Sequence, residues 1–153
     1  MIFIGIDPGK SGAMAAINSE TGRVLVRPFD PAEYNISLAE FALNGMKCFA
    51  VVERVSAMPH QGVTGVFNFG TNYGYIQGLL EAHGIPYELV RPQAWKRAFG
   101  CTKDKNTSLA VCRRLFPDVS LKRTSNCKKD DDGIAEALLM AEYGRRTYRE
   151  ENE

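Results

Sequence analysis

Ile2-Phe3-Ile4-Gly5-Ile6-Asp7-Pro8-Gly9-Lys10-Ser11-Gly12 is the stretch on which the fold turns. Its apolar run reads as a buried strand from Ile2 to Asp7, and Pro8-Gly9 ends that strand in a turn. Side chains alternate along a strand, so Phe3, Gly5 and Asp7 share one side and Asp7 is a carboxylate at the carboxyl end. Gly12 to Ile17 reads as a second strand, Asn18 to Gly22 as a turn, and Arg23 to Pro28 as a third strand. The chain therefore begins as an antiparallel meander.

Beyond the meander, Ser37 to Leu43 has the pattern of a short helix stopped by Asn44-Gly45. Cys48 to Glu53 is a continuous apolar strand of the kind buried on both faces. Val66 to His83 has helical length and ends at Gly84, and Ile85 to Val90 is a fifth strand. Pro92 opens a short helix, and Asn106 or Thr107 begins another that runs to about Phe116. Asp131 and Asp132 stand at the start of a last helix through Arg145 and Arg146. This order predicts an α/β fold with a five-stranded mixed sheet, the first three strands antiparallel and the last two parallel, flanked by helices. Residues 1–148 are expected to form one domain, and Arg149 to Glu153 are polar enough to fray.

No stretch of the 153 residues approaches the ~20 apolar residues of a membrane span, and the N-terminus enters a strand without a basic leader. A cytoplasmic protein is expected. Cys48, Cys101, Cys112 and Cys127 are scattered, and neither His60 nor His83 stands at ligand spacing from them. The thiols read as reduced and packed, with no zinc site. Net charge is only +1, yet Arg91 to Lys129 holds 11 Lys and Arg against Asp104 and Asp118, a net +9 that leaves −8 for the rest. A basic run is commonly just a solvated face. Lying directly before an acidic cluster, this one suits a polyanion held beside bound cations.

Glu53 ends Phe49-Ala50-Val51-Val52, a run apolar enough to be central, where an isolated carboxylate would bear a heavy desolvation cost. Two acids at the ends of neighbouring strands point to a cation between them. The last helix adds Asp132 and Glu136, four apart on one face, and Glu136 is the only charge in Gly133-Ile134-Ala135-Glu136-Ala137-Leu138-Leu139-Met140-Ala141. Taken singly, each acid has an ordinary job: Asp7 capping a turn, Glu53 pairing with an arginine, Asp131 and Asp132 favouring a helix N-terminus. Together they describe a pocket of carboxylates suited to Mg²⁺, with room for two ions that activate a water and stabilise a leaving oxygen in phosphodiester hydrolysis.

Ile4-Gly5-Ile6-Asp7-Pro8-Gly9 with Gly12, Val52-Glu53, and Asp132 with Ala135-Glu136-Ala137-Leu138 resemble, in order and spacing, the three acidic segments of the RuvC-type Holliday junction resolvases. The resemblance implies an RNase H-like fold and a Mg²⁺-dependent endodeoxyribonuclease, with Mn²⁺ able to substitute. It implies Asp7, Glu53, Asp132 and Glu136 as metal-binding acids, branched DNA and above all four-way junctions as substrate, and a homodimer with one site per incised strand. The sequence departs from that family at two places. The family's last two acids are commonly three apart, whereas Gly133 lies three before Glu136, so either Asp131 or Asp132 takes the role. The family's Phe three residues after the strand Glu is here Ser56, for which Phe67 or Phe69 could substitute.

Lys96 and Lys105 fall near the phosphate-contacting lysines of similar proteins. Lys105 is read as a catalytic cation, against the plain alternative of a solvated lysine before a helix. Lys103, Arg113, Arg114, Lys122, Arg123, Lys128 and Lys129 are candidate contacts to the DNA backbone. Gly70, Gly74 and Gly78 form a small-residue stripe, read either as close approach of a helix to the sheet or as a helix contact across a two-fold axis. Three alternatives accompany the resolvase reading. They are an RNase H-like nuclease of broader branched-DNA or hybrid specificity, a phosphoryl-transfer enzyme, whose Gly-rich opening is similar but which needs a second like domain, and a non-catalytic junction-binding protein.

Overall fold

A computed structural model of the chain describes residues 1–149, so the expected frayed tail lies, apart from Arg149, outside the described residues. The strands are β1 (Ile2–Asp7), β2 (Ala13–Asn18), β3 (Val24–Pro28), β4 (Cys48–Glu53) and β5 (Tyr87–Val90). The helices are α1 (Pro31–Leu43), α2 (Val63–Ala82), α3 (Pro92–Phe99), α4 (Lys105–Leu115) and α5 (Asp132–Thr147). One five-stranded sheet runs in the order β3-β2-β1-β4-β5. β1 pairs antiparallel with β2 and β2 with β3, while β1–β4 and β4–β5 are parallel. The mixed sheet expected from the sequence is the one observed.

Strand alternation separates two apolar layers. Ile2, Ile4 and Ile6, with Ala50 and Val52, pack toward Tyr34 and Leu38 of α1 and Ile76 and Leu80 of α2. Val51, Ala13 and Ala15 face α5, whose outer side is covered by Trp95 and Phe99 of α3 and Cys112 of α4. Sheet on one side and helices on the other explain why α5 is apolar nearly all round. The close seat of α5 depends on Gly5, where a Cβ would stand 2.0 Å from the Ala137 carbonyl oxygen. Only a residue without a side chain lets the two backbones meet there.

Several boundaries differ from expectation for local reasons. α1 begins at Pro31, six positions before Ser37, because Asp30 caps it by accepting from the Ala32 and Glu33 amides and Pro31 supplies a preset first turn. α2 starts at Val63 instead of Val66, and α4 starts at Lys105 under an Asp104 cap. The Gly70, Gly74 and Gly78 stripe does not approach the sheet. A Cβ at any of the three meets nothing within 4 Å, and the buried residues of α2 are Ile76 and Leu80. Cys48 and Cys112 are buried, and Cys101 and Cys127 are half-buried. Among the described residues no helix is long and apolar enough to cross a membrane.

Candidate active site

β1 and β4 run side by side in register, Ile6 opposite Val52, so Asp7 and Glu53 end neighbouring strands at the same edge of the sheet. Alternation places both on the face that carries α5. Asp132 is the first residue of α5 and Glu136 lies one turn further, brought down to the strand tips by the close contact at Gly5. Glu136 is buried at 7% exposure in this otherwise apolar stretch.

The four carboxylates act on one another. Burial, then the charges of Glu53, Glu136 and Asp132, push the Asp7 carboxyl up to about 8, with Lys105 opposing. Glu53 is also raised, by burial first, with Glu136 adding to the shift and the Trp95 hydrogen bond, Lys96 and Lys105 opposing it. Lysines partner two of the four. Lys96 Nζ stands 3.1 Å from Glu136 Oε1, and Lys105 pairs with Asp132, which holds the Lys105 ammonium above its ordinary pKa. Among the described residues no hydrogen bond or ion pair reaches the Asp7 carboxylate.

Among the described residues, no three His, Cys, Asp or Glu side chains converge closely enough to form a finished metal cage. The donor chemistry nevertheless fits a hard divalent cation. Neighbouring carboxylate charges add to the raised pKa of Asp7 and Glu53, which calls for positive charge, and Glu136 Oε1 is buried without a hydrogen bond even though Lys96 is near it. Asp7, Glu53, Asp132 and Glu136 are the oxygen donors that could hold such an ion.

Asp131 is occupied otherwise. Its side chain caps α5 by accepting from the Ile134 amide at 3.1 Å, and it accepts from Arg123 Nε at 2.7 Å and Nη2 at 3.0 Å. Burial pushes this carboxyl up, but Arg123 and the amides more than offset that and leave it below its usual range. Arg123 Nη2 also donates to the Ser11 and Gly12 carbonyls at 2.6 and 3.2 Å, tying the start of α5 to the β1–β2 turn. Gly133 lies in the same contact. A Cβ there would stand 2.2 Å from the Ser11 carbonyl oxygen, so a side chain three before Glu136 is sterically barred.

The basic residues divide by engagement. Arg123 is braced against Asp131 and the β1–β2 turn, and Arg113 Nε donates to Asp130 at 2.7 Å. Lys103, Arg114, Lys122, Lys128 and Lys129 are exposed. Phe67 is 73% exposed on α2, whereas Phe69 is half-buried with its ring against Gly9. Sequence reasoning missed Trp95. This fully buried side chain donates from Nε1 to Glu53 Oε2 at 2.9 Å, and the adjacent Lys96 ammonium lies 5.1 Å from its ring centre. The available signal was a lone Trp in a short helix, whose buried N–H requires an acceptor.

The fold defines the class: a five-stranded mixed sheet in this order, flanked by helices, is RNase H-like. Solved structures that share it include Thermus thermophilus RuvC bound to a Holliday junction substrate, 18% identical, covering 96% of this chain and 96% of that one with a TM-score of 0.62. Thermus thermophilus RuvC also appears in a further structure at 18% identity, covering 95% of this chain and 96% of that one with a TM-score of 0.56. No family model and no curated protein matches the chain. The kinship shown is distant and is one of fold.

Proposed function

We propose that this chain is a divalent-metal-dependent endonuclease acting on branched DNA, four-way junctions in particular. The observation that carries the reading is the meeting of four carboxylates, two at neighbouring strand ends and two on α5, around a half-buried Asp7 carboxyl that has no bonded partner among the described residues. The chemistry a divalent cation supplies when held by such donors is activation of a water and stabilisation of the leaving oxygen in phosphodiester hydrolysis. Asp7, Glu53, Asp132 and Glu136 would hold Mg²⁺ or Mn²⁺. Asp131 keeps the start of α5 in place. Lys105, at the exposed rim beside Asp132, stabilises the phosphate, and Lys96 balances Glu136.

Lys103, Arg114, Lys122, Lys128 and Lys129 contact the DNA backbone and make affinity sensitive to salt. Phe69, fixed against Gly9 beside the acidic edge, serves the base contact better than the outlying Phe67. Paired incision of a junction calls for two copies of the chain, and the exposed face of α2 with Gly70, Gly74 and Gly78 is a surface on which a homodimer could close. The junction complex of the Thermus structure supports this substrate as a proposal.

The test is incubation of wild type and Glu53→Gln with labelled four-way junction, duplex, flap and RNA–DNA hybrid, in Mg²⁺ and in EDTA. Paired metal-dependent nicks confined to the junction, lost in the variant, are expected. Equal cutting of hybrid assigns a broader nuclease, and binding without cutting assigns a non-catalytic junction-binding protein.

A further inference from the structure

Glu53 is opposite Val90 in the parallel β4–β5 pair, and the Arg54 amide donates to the Val90 carbonyl at 2.8 Å. Arg54 and Arg91 are thus the next residues on two adjoining strands. Both are exposed, and no side-chain hydrogen bond or ion pair holds either guanidinium among the described residues. Like charges placed opposite each other across strands repel, so the pair is an uncompensated positive site.

The pair lines an open cleft of about 770 Å³, together with Gln61, Phe69 and Gln93, and no carboxylate lines it. The first turn of α3, which has no side-chain cap, borders the same cleft through Pro92 and Gln93. A helix start of this kind adds partial positive charge; Pro92 has no N–H and the Ala94 amide is used by the Arg91 carbonyl at 2.9 Å, so the contribution is one of the helix dipole. Phe69 joins the cleft to the acidic edge, because its ring also packs against Gly9, two residues after Asp7.

We infer that Arg54 and Arg91 form a phosphodiester-binding subsite, which holds the nucleotide beside the scissile one with its phosphate on the two guanidiniums and its base toward Phe69. The inference rests on the nuclease reading for its substrate class. It adds a place where the strand is gripped on the far side of Glu53 from the Lys105 segment. Guanidinium pairs suit this task because each presents a planar fork of donors to phosphate oxygens.

The experiment measures anisotropy of labelled four-way junction and of a single strand, in EDTA and over a salt series. It compares wild type with Arg54→Gln, Arg91→Gln and the double variant. Arg23→Gln, at the opposite edge of the sheet, controls for loss of charge alone, and circular dichroism checks folding. The double variant is expected to bind at least about 10-fold more weakly than Arg23→Gln and to lose about 0.7 from the slope of log affinity against log salt, the contribution of one single-strand phosphate. A double variant that matches Arg23→Gln in affinity and slope overturns the subsite. Cleavage by wild type in Mg²⁺ is scored separately. Arginine-dependent binding without cleavage sinks the nuclease reading and leaves the anion site, whereas cleavage with binding indifferent to both arginines does the reverse.

Discussion

Trp95 donates its indole N–H to Glu53 Oε2 at 2.9 Å, across 42 residues of sequence. The bond fixes one oxygen of a strand-end carboxylate and opposes the rise in pKa that burial imposes on it. Trp95→Phe keeps most of the packing and deletes the donor. Apparent Mn²⁺ affinity should fall about 10-fold to 100-fold, as for other partners that orient metal-binding side chains. Isothermal titration reads the change, and an affinity equal to wild type shows that Glu53 needs no such support.

The Asp7 carboxyl titrates near 8 in the folded chain against an ordinary value of 3.8. The folded state therefore keeps a proton that the unfolded chain releases. In metal-free protein the resulting stabilisation is complete below about pH 3.8 and disappears as pH rises through about 8. Melting temperature in EDTA should fall across that window, and Asp7→Asn should flatten the fall. Mn²⁺ binding at neutral pH should release a proton, so apparent metal affinity should rise with pH. A wild-type slope no steeper than that of Asp7→Asn contradicts the assignment.

Gly5→Ala brings a methyl to 2.0 Å from the Ala137 carbonyl oxygen, a backbone atom that cannot swing aside. The substitution should cost on the order of 3 kcal/mol in urea unfolding and shift α5 away from the strand tips. Metal affinity should drop with it, because Glu136 travels on that helix. A variant of native stability would show that α5 and β1 do not meet backbone to backbone.

Lys96→Met removes the ammonium that stands 3.1 Å from a buried oxygen of Glu136. Leaving that carboxylate without its partner should destabilise the metal-free protein by about 3 kcal/mol. Added Mg²⁺ should then stabilise the variant more than wild type, since the cation replaces the lost charge. Thermal denaturation with and without metal decides it, and equal gains for both proteins contradict the coupling.

The sheet was legible because its strands announce themselves: the β1 and β4 runs are apolar and each ends on a carboxylate, and turns such as Pro8-Gly9 separate the early strands. Glu136 was legible because a lone carboxylate buried in an apolar helix is costly unless a cation offsets it. What could not be read depends on contacts distant in sequence. Arg123 and Ser11 decide that Asp131 braces the helix start and that no side chain fits at 133. No local pattern says which face of α2 meets the sheet, so the orientation of Gly70, Gly74 and Gly78 stayed open. The Asp30-Pro31 start of α1 was present in the sequence and was missed because the apolar pattern of that helix is weak at its beginning.

Trp95 is the chain's sole tryptophan and touches Glu53, so its fluorescence reports directly on whether a cation is shared by Asp7, Glu53, Asp132 and Glu136. Titration of metal-free protein with Mn²⁺ should give saturable quenching in wild type that is abolished or moved to much higher concentration in Asp7→Asn and in Glu136→Gln. Fluorescence that never saturates, or quenching that is the same in all three proteins, would show that these carboxylates do not hold a common ion.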